Sequence, residues 1–351
     1  MRKNHEFRRT KTMKTAIAAV VDGNNLTREE AERVAELILT GQASEIEIAG
    51  FLTALRMKGE TVDEILGFAS VLRSKANTIS PKCENYVDLV GSGGDRTFSF
   101  NISTTSSFVV AGAGLPVAKH GNRSISSRSG AADVLEALGV NIAADPDVVQ
   151  KCVEEAGVGF MMAPHFNPCM KYVGPVRKAL GIRTVFNILG PLSNPSRAKK
   201  MVVGVYDPKM AETIAKVMAS LDVQRGFVVS GDNHMDEFNL AGTTTVAEIK
   251  DGEVTVFEVT PEQFGLKRCD LADMQGGEGA ENARITKAIL DGSEQGAKRD
   301  VVLLNAGATL YIGGLADSIG DGIRLAAESI DSGRALKVLE KMVELSNRVI
   351  D

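Results

Sequence analysis

The sequence predicts an α/β protein, with a small N-terminal helical domain followed by a larger domain built on a mostly parallel central sheet. Three observations lead to this fold class. Helix-start signatures follow one another near the N-terminus without strands between them. Strands and helices alternate after Pro81. The length of 351 residues, with 44% hydrophobic and 24% charged side chains, is typical of two globular domains.

The helical domain is predicted over residues 13–82. Three hydroxyl residues each stand three positions before a Glu, the spacing in which hydroxyl and carboxylate cap a helix start reciprocally. An apolar run with helical periodicity follows each pair. The pairs are Thr27 with Glu30, Ser44 with Glu47, and Thr61 with Glu64. A proline-bounded helical segment at about 164–196 is expected to join this domain in space.

Residues 83–163 and 197–351 are predicted to form the α/β domain. Tyr86–Val90 is a short apolar run before Gly91, typical of a buried strand. Asp251-Gly252 between two β-branched runs predicts a hairpin. The other predicted elements are Phe108–Ala113 and Val117–Lys119 around a glycine turn, the helices Ala131–Leu138 and Lys209–Leu221, the strands Met201–Tyr206, Gly226–Ser230, Val246–Ile249 and Val254–Val259, and the C-terminal helices Asn282–Leu290, Asp300–Leu310, Asp321–Ser332 and Ala335–Val349.

The net charge of −5 is unevenly distributed along the chain. Residues 1–14 carry +5, which leaves −10 for the body and argues against nucleic-acid binding. Residues 1–12 are expected to be a basic, disordered tail. No apolar run is long enough to span a bilayer. The four cysteines lack metal-finger or redox spacing, so we expect reduced thiols in a cytoplasmic protein.

The densest chemical signal is Gly91-Ser92-Gly93-Gly94-Asp95, directly after the first predicted strand. Backbone N–H groups of such a loop can approach a phosphate without hindrance from side chains. No P-loop Lys follows, and Arg96 replaces the third glycine of the dinucleotide fingerprint. A tight turn is the alternative. The hydroxyl-rich stretch Asn101–Ser107 adds donors at a helix start, where ordinary capping is the alternative.

Three further groups are candidate binding residues. Lys119–Gly130 holds three cations, one His, one Asn and four Ser, which favours phosphate binding over core packing or a solvated loop. The adjacent Asp236 and Glu237 can share a hard cation, and beside phosphates that cation is expected to be Mg²⁺. Arg177, on a predicted helix, can make a two-pronged contact with a carboxylate, unless it belongs to a solvated face.

Taken in order, these motifs resemble those of the anthranilate phosphoribosyltransferase family from about Leu26 to the C-terminal helices. The segment Arg177–Pro195, with its Asn-Ile-Leu-Gly-Pro-Leu run, is among the most specific. The resemblance implies the fold of nucleoside phosphorylases and phosphoribosyltransferases, with a helical domain hinged to an α/β domain, and a homodimer through the helical domains. It also implies transfer of a phosphoribosyl group from phosphoribosyl pyrophosphate to the amine of anthranilate, with release of pyrophosphate, in tryptophan biosynthesis.

The resemblance also implies which residues bind each ligand, and it implies no catalytic acid or base. Gly91, Asn122 and Arg177 would contact anthranilate, and Ser103, Asp236 and Glu237 would hold Mg²⁺. The residues implied in donor binding are Gly91, Gly94, Asp95, Ser99, Asn101, Ile102, Ser103, Thr104, Lys119, His120, Gly121, Asn122, Arg123, Ser124, Ile125, Ser126, Ser127 and Ala131.

Three positions depart from the family pattern, and other functions fit parts of the sequence. Ser92 stands for the usual Thr, Ala131 for a common Ser, and Asn167 for a frequent His. Asn167 leaves open a phosphoribosyltransferase with a different aromatic acceptor. A pyrimidine nucleoside phosphorylase shares the architecture, but the Asp236-Glu237 pair argues against it. A non-catalytic nucleic-acid-binding relative would need a basic face, which only the tail offers.

Overall fold

The computed structural model describes residues 12–124 and 128–348, which form two compact units. The helical unit comprises the chain up to Ala76 together with Asn167–Leu189. The α/β unit comprises Asn77–Phe166 and the chain from Gly190 onward. The predicted tail up to residue 11, the site residues Ile125, Ser126 and Ser127, and the end of the last predicted helix at Val349 lie outside the described residues.

Fifteen α-helices and seven strands follow one another in the described residues. They are α1 (Met13–Val21), α2 (Arg28–Leu39), α3 (Glu45–Lys58), α4 (Val62–Ser74), β1 (Asp88–Gly91), α5 (Ile102–Gly112), β2 (Val117–Gly121), α6 (Ala131–Ala137), α7 (Pro146–Glu155), β3 (Val158–Met162), α8 (Ala163–Phe166), α9 (Gly174–Leu180), α10 (Phe186–Leu192), β4 (Lys200–Gly204), α11 (Ala211–Ser220), β5 (Arg225–Gly231), β6 (Thr244–Lys250), β7 (Glu253–Val259), α12 (Gly279–Leu290), α13 (Ala297–Gly313), α14 (Ile319–Asp331) and α15 (Arg334–Ser346).

The helical unit begins its helices where the sequence predicts. The three capping boxes open α2, α3 and α4, with both reciprocal hydrogen bonds present in each. The helix α1 was not predicted, because its capping box pairs Thr12 with Thr15 instead of a Glu. Inside the unit, the rings of Phe51 and Phe68 stack with centroids 6.0 Å apart, and Phe186 of α10 meets Phe68 edge-on. These aromatic contacts hold the later segment against the early helices.

A buried carboxylate ties the helical unit together. Glu64, in the first turn of α4, is fully buried and accepts hydrogen bonds from the backbone N–H groups of Leu26 (3.0 Å) and Thr61 (2.9 Å). Its other partner is the Nζ of Lys58, 2.9 Å away and almost as deeply buried. Because one carboxylate satisfies donors from three places in the chain, it fixes the loops that precede α2 and α4.

The α/β unit is built on a five-stranded sheet in the order β1-β4-β5-β6-β7. The pairs β1–β4 and β4–β5 are parallel, and the predicted hairpin adds β6 and β7 antiparallel. A parallel pair of β2 and β3 lies beside it, joined by a bridge between Val87 and Val117. Helix α5, with Phe108 fully buried, packs against α13 and α15. The carboxyl ends of β1, β4 and β5 therefore meet at one edge.

The predicted fold class, a helical domain with an α/β domain and a mostly parallel sheet, is confirmed. Phe108–Ala113, which the sequence left unassigned beside a glycine turn, completes α5. The elements α7 and β3 were missed, because Val158–Met162 is short and its burial comes from distant partners. Within the described residues, no helix is both long and apolar enough to cross a membrane.

Replacing Glu64 by Ala is expected to lower the free energy of unfolding by about 3 kcal/mol, because Lys58 and the Leu26 N–H lose their buried acceptor. Urea unfolding followed by circular dichroism measures this loss. The control is Glu47→Ala, which removes the carboxylate of an exposed capping box and should cost about 1 kcal/mol or less. Equal losses in the two variants would contradict the central role given to Glu64.

Candidate functional site

Two paired glycines end neighbouring strands at the centre of the candidate site. Gly91 of β1 lies opposite Gly204 of β4. A Cβ atom on Gly204 would lie 1.7 Å from the backbone oxygen of Asp236, and one on Gly91 would lie 2.4 Å from its Oδ2. Neither distance leaves room for a side chain. The absence of side chains at both strand ends is thus what admits Asp236 to this edge of the sheet.

The glycine loop after β1 bends back onto Asp236. Gly93 and Gly94 have φ values of 73° and 72°, a left-handed conformation that favours glycine. The N–H of Gly93 donates to Asp236 Oδ2 at 2.6 Å. The Asp95 carboxylate accepts from the Thr97 hydroxyl at 2.5 Å. The hydroxyl oxygen of Ser92 is buried without a hydrogen-bond partner among the described residues, which is typical of a site that waits for a ligand.

Asp236 and Glu237 form a buried acidic pair whose nearest cation, Lys119, interacts with Glu237 and is shared with Asp88. Burial raises the pKa of Asp236 to about 7, and the neighbouring Asp95 adds to the rise. Burial also raises the pKa of Glu237 to about 8, with the charge of Asp236 as the second cause. Carboxyls that repel one another in a poorly hydrated place are stabilised as anions when a cation joins them. The donor set of oxygen atoms suits Mg²⁺.

Within the described part of the chain, no three His, Cys, Asp or Glu side chains are arranged to hold a metal by themselves. This arrangement is compatible with Mg²⁺, which usually binds one or two carboxylates together with water and substrate phosphates. It does not suit a structural Zn²⁺ site, which needs four protein ligands.

The start of α5 faces the same acids. The backbone N–H of Ser103 donates to Glu237 Oε1 at 3.1 Å, so a helix N-terminus already holds one anionic group. Asn101, at the N-cap position, does not cap the helix with its side chain. Its amide instead bonds to Ser129 and Asn282. The ordinary capping given as the alternative for this stretch is therefore absent at Asn101. Ser99, Ile102 and Thr104 lie in the same stretch, with Ile102 and Thr104 buried.

Lys119 and His120 correct one expectation from the sequence. The composition of Lys119–Gly130 suggested that little of it would pack in a core, but both residues lie inside β2 and are only 2% and 3% exposed. Lys119 Nζ donates to the Leu89 carbonyl at 2.5 Å and to Ser103 Oγ at 3.4 Å. His120 Nδ1 contacts the Gly190 carbonyl at 3.1 Å. These polar atoms are buried because β2, the strand to which both residues belong, lies in the protein interior.

The buried cation is matched by acids from other elements. Burial lowers the pKa of Lys119, while Asp88 and then Glu237 oppose that shift. Asp88 is fully buried in β1 and accepts from Asn194 Nδ2 at 2.6 Å. Sequence reasoning missed Asp88 and Asn194. A single acid inside the apolar run Tyr86–Val90 was the available signal for Asp88, and nothing local marked Asn194.

The residues after β2 bond to α6. Arg123 contacts Asp133 and Glu136 through its guanidinium, with each N···O distance at 2.9 Å. The exposed Asn122 accepts from the Arg123 N–H, and Gly121 packs against Phe160 and Ala131 so closely that a Cβ would lie 2.8 Å from the phenyl ring. Asp133 is a second residue that the sequence reasoning did not single out.

Arg177 and Asn167 belong to the helical unit. Burial lowers the pKa of Arg177 on α9, and no ion pair of its guanidinium occurs within residues 12–124 and 128–348. A partly buried cation without a carboxylate partner suits an anionic ligand. Asn167, 2% exposed, precedes the short helix Pro168–Tyr172. Arg177 is partly buried, which argues against the alternative of a solvated helix face.

Comparison with known proteins places both units in described families. Residues 14–76 match the helical bundle domain of the glycosyl transferase family, and residues 83–336 match its a/b domain. An anthranilate phosphoribosyltransferase of Acetivibrio thermocellus is 48% identical over 338 residues, which cover 96% of this chain and 98% of that protein. The chain belongs to the anthranilate phosphoribosyltransferase family. The match spans both units, so it covers the glycine loop, the acidic pair and Arg177 together.

Solved structures of the family share the fold. A crystal structure of the enzyme from Thermus thermophilus superposes with a TM-score of 0.90 at 41% identity, over 95% of this chain and 99% of that one. The structure of the Saccharomyces cerevisiae enzyme in complex with PRPP and Mg superposes with a TM-score of 0.89 at 29% identity, over 96% of this chain and 98% of that one. Another structure of the yeast enzyme, in complex with 4-fluoroanthranilate, has a TM-score of 0.86 at 27% identity, over 97% of this chain and 99% of that one. The resemblance and the enzyme class inferred from the sequence are confirmed.

The acidic pair should make the metal-free protein less stable as pH rises. Raised pKa values mean that Asp236 and Glu237 bind protons more tightly in the folded state. The stability they contribute is complete below about pH 4 and is lost as pH passes their folded pKa values of about 7 and about 8. Thermal midpoints measured from pH 5 to 9 in chelator should fall, and Mg²⁺ should reduce the fall.

The variant Asp236→Asn with Glu237→Gln should show a flatter pH profile, because it removes both titrating groups. The matched control is the exposed adjacent pair, Glu154→Gln with Glu155→Gln, which should keep the slope of the unmodified chain. An unchanged slope in the Asp236-Glu237 variant would show that other groups carry the pH dependence.

Proposed function

We propose that this chain transfers the phosphoribosyl group of phosphoribosyl pyrophosphate to the amine of anthranilate, giving N-(5-phosphoribosyl)anthranilate and pyrophosphate, a step of tryptophan biosynthesis. The observation that carries the proposal is the convergence of three anion- or cation-binding elements at one sheet edge. They are the glycine loop, the N-terminus of α5 and the Asp236-Glu237 pair. The names of the matching relatives support the same reaction.

The donor is proposed to bind within the α/β unit. Gly91, Gly94, Asp95 and Ser99 hold its pyrophosphate and ribose end, and the first turn of α5, from Asn101 to Thr104, supplies N–H and hydroxyl donors. Lys119–Ser124 and Ala131 are proposed to contact the phosphoribosyl group, and the proposal extends to Ile125, Ser126 and Ser127, which lie outside the described residues. The buried Lys119, held between acids, provides positive charge for the departing pyrophosphate without being exposed to solvent.

Mg²⁺ is proposed to bind at Asp236 and Glu237, with Ser103 close by and the rest of its ligands from phosphate and water. The fit rests on the two adjacent buried carboxyls, whose pKa values are raised, and on their oxygen donor set. When bound, the ion would neutralise charge on the pyrophosphate leaving group. The Mg complex of the yeast enzyme supports this choice of metal.

In the proposed transfer, the bond from the anomeric carbon to the pyrophosphate oxygen breaks and its electron pair leaves with pyrophosphate. The anthranilate nitrogen forms the new bond to that carbon, through a transition state with oxocarbenium character. The amine is already neutral near pH 7, so it needs no strong base, and its surplus proton passes to water or pyrophosphate. Burial lowers the pKa of His120 to about 4, so its ring is uncharged and is no acid for the reaction. Catalysis therefore rests on positioning and charge stabilisation.

The acceptor is proposed to use Arg177 for its carboxylate, with Gly91 and Asn122 as further contacts. Arg177 is partly buried, and its pKa is lowered by burial alone, with no carboxylate among the causes. A planar guanidinium holds a carboxylate through two parallel hydrogen bonds. We also propose that the two domains end where the sequence predicts, at residues 82 and 163 and near 196, with a hinge between them.

A homodimer through the helical units is proposed from their exposed apolar side chains. Ile46 and Met57 of α3 are 85% and 84% exposed, and Val21 of α1 is 66% exposed. Large apolar side chains left exposed on one domain are candidates for an interface, because contiguous exposed apolar patches mark interaction sites. Cytoplasmic localisation is proposed because none of the four cysteines, all of which the structure describes, forms a disulfide.

The function is tested by following the fluorescence of anthranilate with phosphoribosyl pyrophosphate, with and without Mg²⁺. We expect a loss of anthranilate that requires both the donor and the metal. If the donor binds by calorimetry but anthranilate is not consumed, the acceptor differs, as Asn167 allows. If the donor does not bind, the reaction class is wrong.

Arg177→Ala should raise the KM for anthranilate at least ten-fold and the KM for the donor less than three-fold, because only the acceptor loses its charged partner. Initial rates measured against each substrate separate the two constants. Lys178→Ala is the control, since Lys178 is the exposed neighbour on the same helix. Parallel increases in both KM values would remove Arg177 from the acceptor site.

Ile46→Asp with Met57→Asp should convert the dimer to a monomer, because charges replace the apolar side chains at the proposed contact. Light scattering coupled to gel filtration measures the mass. Val256→Asp changes an apolar residue on β7 that is 47% exposed, and it should leave the mass unaltered. A monomeric unmodified chain, or a dimer that survives the double change, would refute the proposed interface.

A further inference from the structure

The segment between β2 and α6 is organised by one carboxylate that the reaction does not use. Asp133 lies in the first turn of α6. Its Oδ2 accepts from the backbone N–H of Gly130 at 2.8 Å and from that of Ser124 at 3.0 Å. Its Oδ1 accepts from Arg123 Nη1 at 2.9 Å. A single side chain therefore satisfies donors from both ends of the stretch Arg123–Gly130.

The groups around Asp133 stabilise its ionised carboxylate. Burial by itself would raise its pKa, but the N–H donors of Ser124 and Gly130 and the guanidinium of Arg123 outweigh that effect and hold the pKa below the usual value. The Asp133 side chain is 25% exposed, whereas Glu136, the other partner of Arg123, is 56% exposed. Among the described residues of the segment, the backbone contacts are to Asp133 and none is to Glu136, so Asp133 is the acid that sets the path of the chain there.

The path is tight at Gly130. A Cβ on Gly130 would lie 2.4 Å from the Ser124 nitrogen and 2.7 Å from the Asn122 carbonyl oxygen. Asn122–Ser124 and Gly130 are therefore in close contact, and Asp133 bonds to both of these chain segments. We call this close contact the closure. Because Gly130 has no room for a side chain and the charged Asp133 accepts hydrogen bonds from both segments, the two ends of the closure are held rigidly.

The closure adjoins the proposed donor site on both sides. Toward the N-terminus, it continues from β2, which carries Lys119 and His120. Toward the C-terminus, Ser129 precedes Gly130, and its hydroxyl donates to the Asn101 side chain at 3.1 Å while its carbonyl accepts from the same side chain at 3.2 Å. Asn101 is the N-cap residue of α5. Asp133 thus links the end of β2 to the start of α5.

We propose that Asp133 is a positioning residue for the phosphoribosyl donor: it holds Asn122–Ser124 and Ser129–Gly130 where they bind the donor, and it does not touch the donor itself. The inference rests on the proposed donor site. Arg123 supports the same segment through its pair with Asp133.

The test compares Asp133→Ala and Asp133→Asn with the unmodified chain. We expect Asp133→Ala to raise the KM for phosphoribosyl pyrophosphate about ten-fold or more, with kcat and the KM for anthranilate changed less than three-fold. Asp133→Asn keeps the size of the side chain and one acceptor oxygen, so its KM for phosphoribosyl pyrophosphate should lie between the values of Asp133→Ala and the unmodified chain. The Kd for the donor with Mg²⁺, measured by calorimetry without anthranilate, should follow the donor KM.

Glu136→Gln is the matched control, because it removes the exposed partner of the same arginine and leaves the backbone contacts intact. It should change donor binding less than two-fold, since exposed ion pairs contribute little. Thermal midpoints report whether each variant folds, and Arg123→Gln, which should raise the donor KM more modestly, takes the place of Asp133→Ala if that variant is unfolded.

A donor KM and Kd that stay unchanged in folded Asp133→Ala would overturn the inference, and so would an equal rise in both substrate KM values. An unmodified chain that neither binds the donor nor consumes anthranilate would instead refute the proposed function, so the two failures are distinguishable. Equal effects of Asp133→Ala and Glu136→Gln would show that the arginine pairing matters and the backbone contacts do not.

Discussion

The site depends on a steric constraint at the carboxyl edge of the sheet, where two neighbouring strands end in glycines that face each other. Asp236 occupies the space that side chains at Gly91 and Gly204 would take. Because of this close approach, the glycine loop after β1 can bond to an acid that follows β5, across a gap of more than a hundred residues. A loop for anions and a pair of carboxylates for a cation are thereby placed side by side.

Several ionisable side chains are buried close to this edge of the sheet. Asp236 and Glu237 repel each other, Lys119 is buried between Asp88 and Glu237, and the ring of His120 is neutral. Each of these groups would be costly to bury alone. The proposed ligands, a substrate with negative phosphates and a divalent cation, would relieve that cost.

The two units contribute in different ways. The helical unit is stabilised by its own capping boxes, its aromatic contacts and the buried Glu64, and it carries the partly buried Arg177. The α/β unit carries the elements proposed to bind phosphate and the acidic pair, and Asp133 bonds to both ends of the segment after β2. The family matches extend over both units, in keeping with a reaction between two substrates.

Local chemistry let the sequence by itself determine the helix starts, the hairpin at Asp251-Gly252, the glycine loop and the motifs that resemble the family. A capping box or a turn involves residues only a few positions apart, so its pattern is visible without a fold. Only the tertiary structure decided that Lys119 and His120 are buried, that Asp88 meets Asn194 at a separation of 106 residues, and that Asp133 closes the segment after β2. Such contacts depend on strand order and burial, and single-sequence patterns do not encode which distant residues meet.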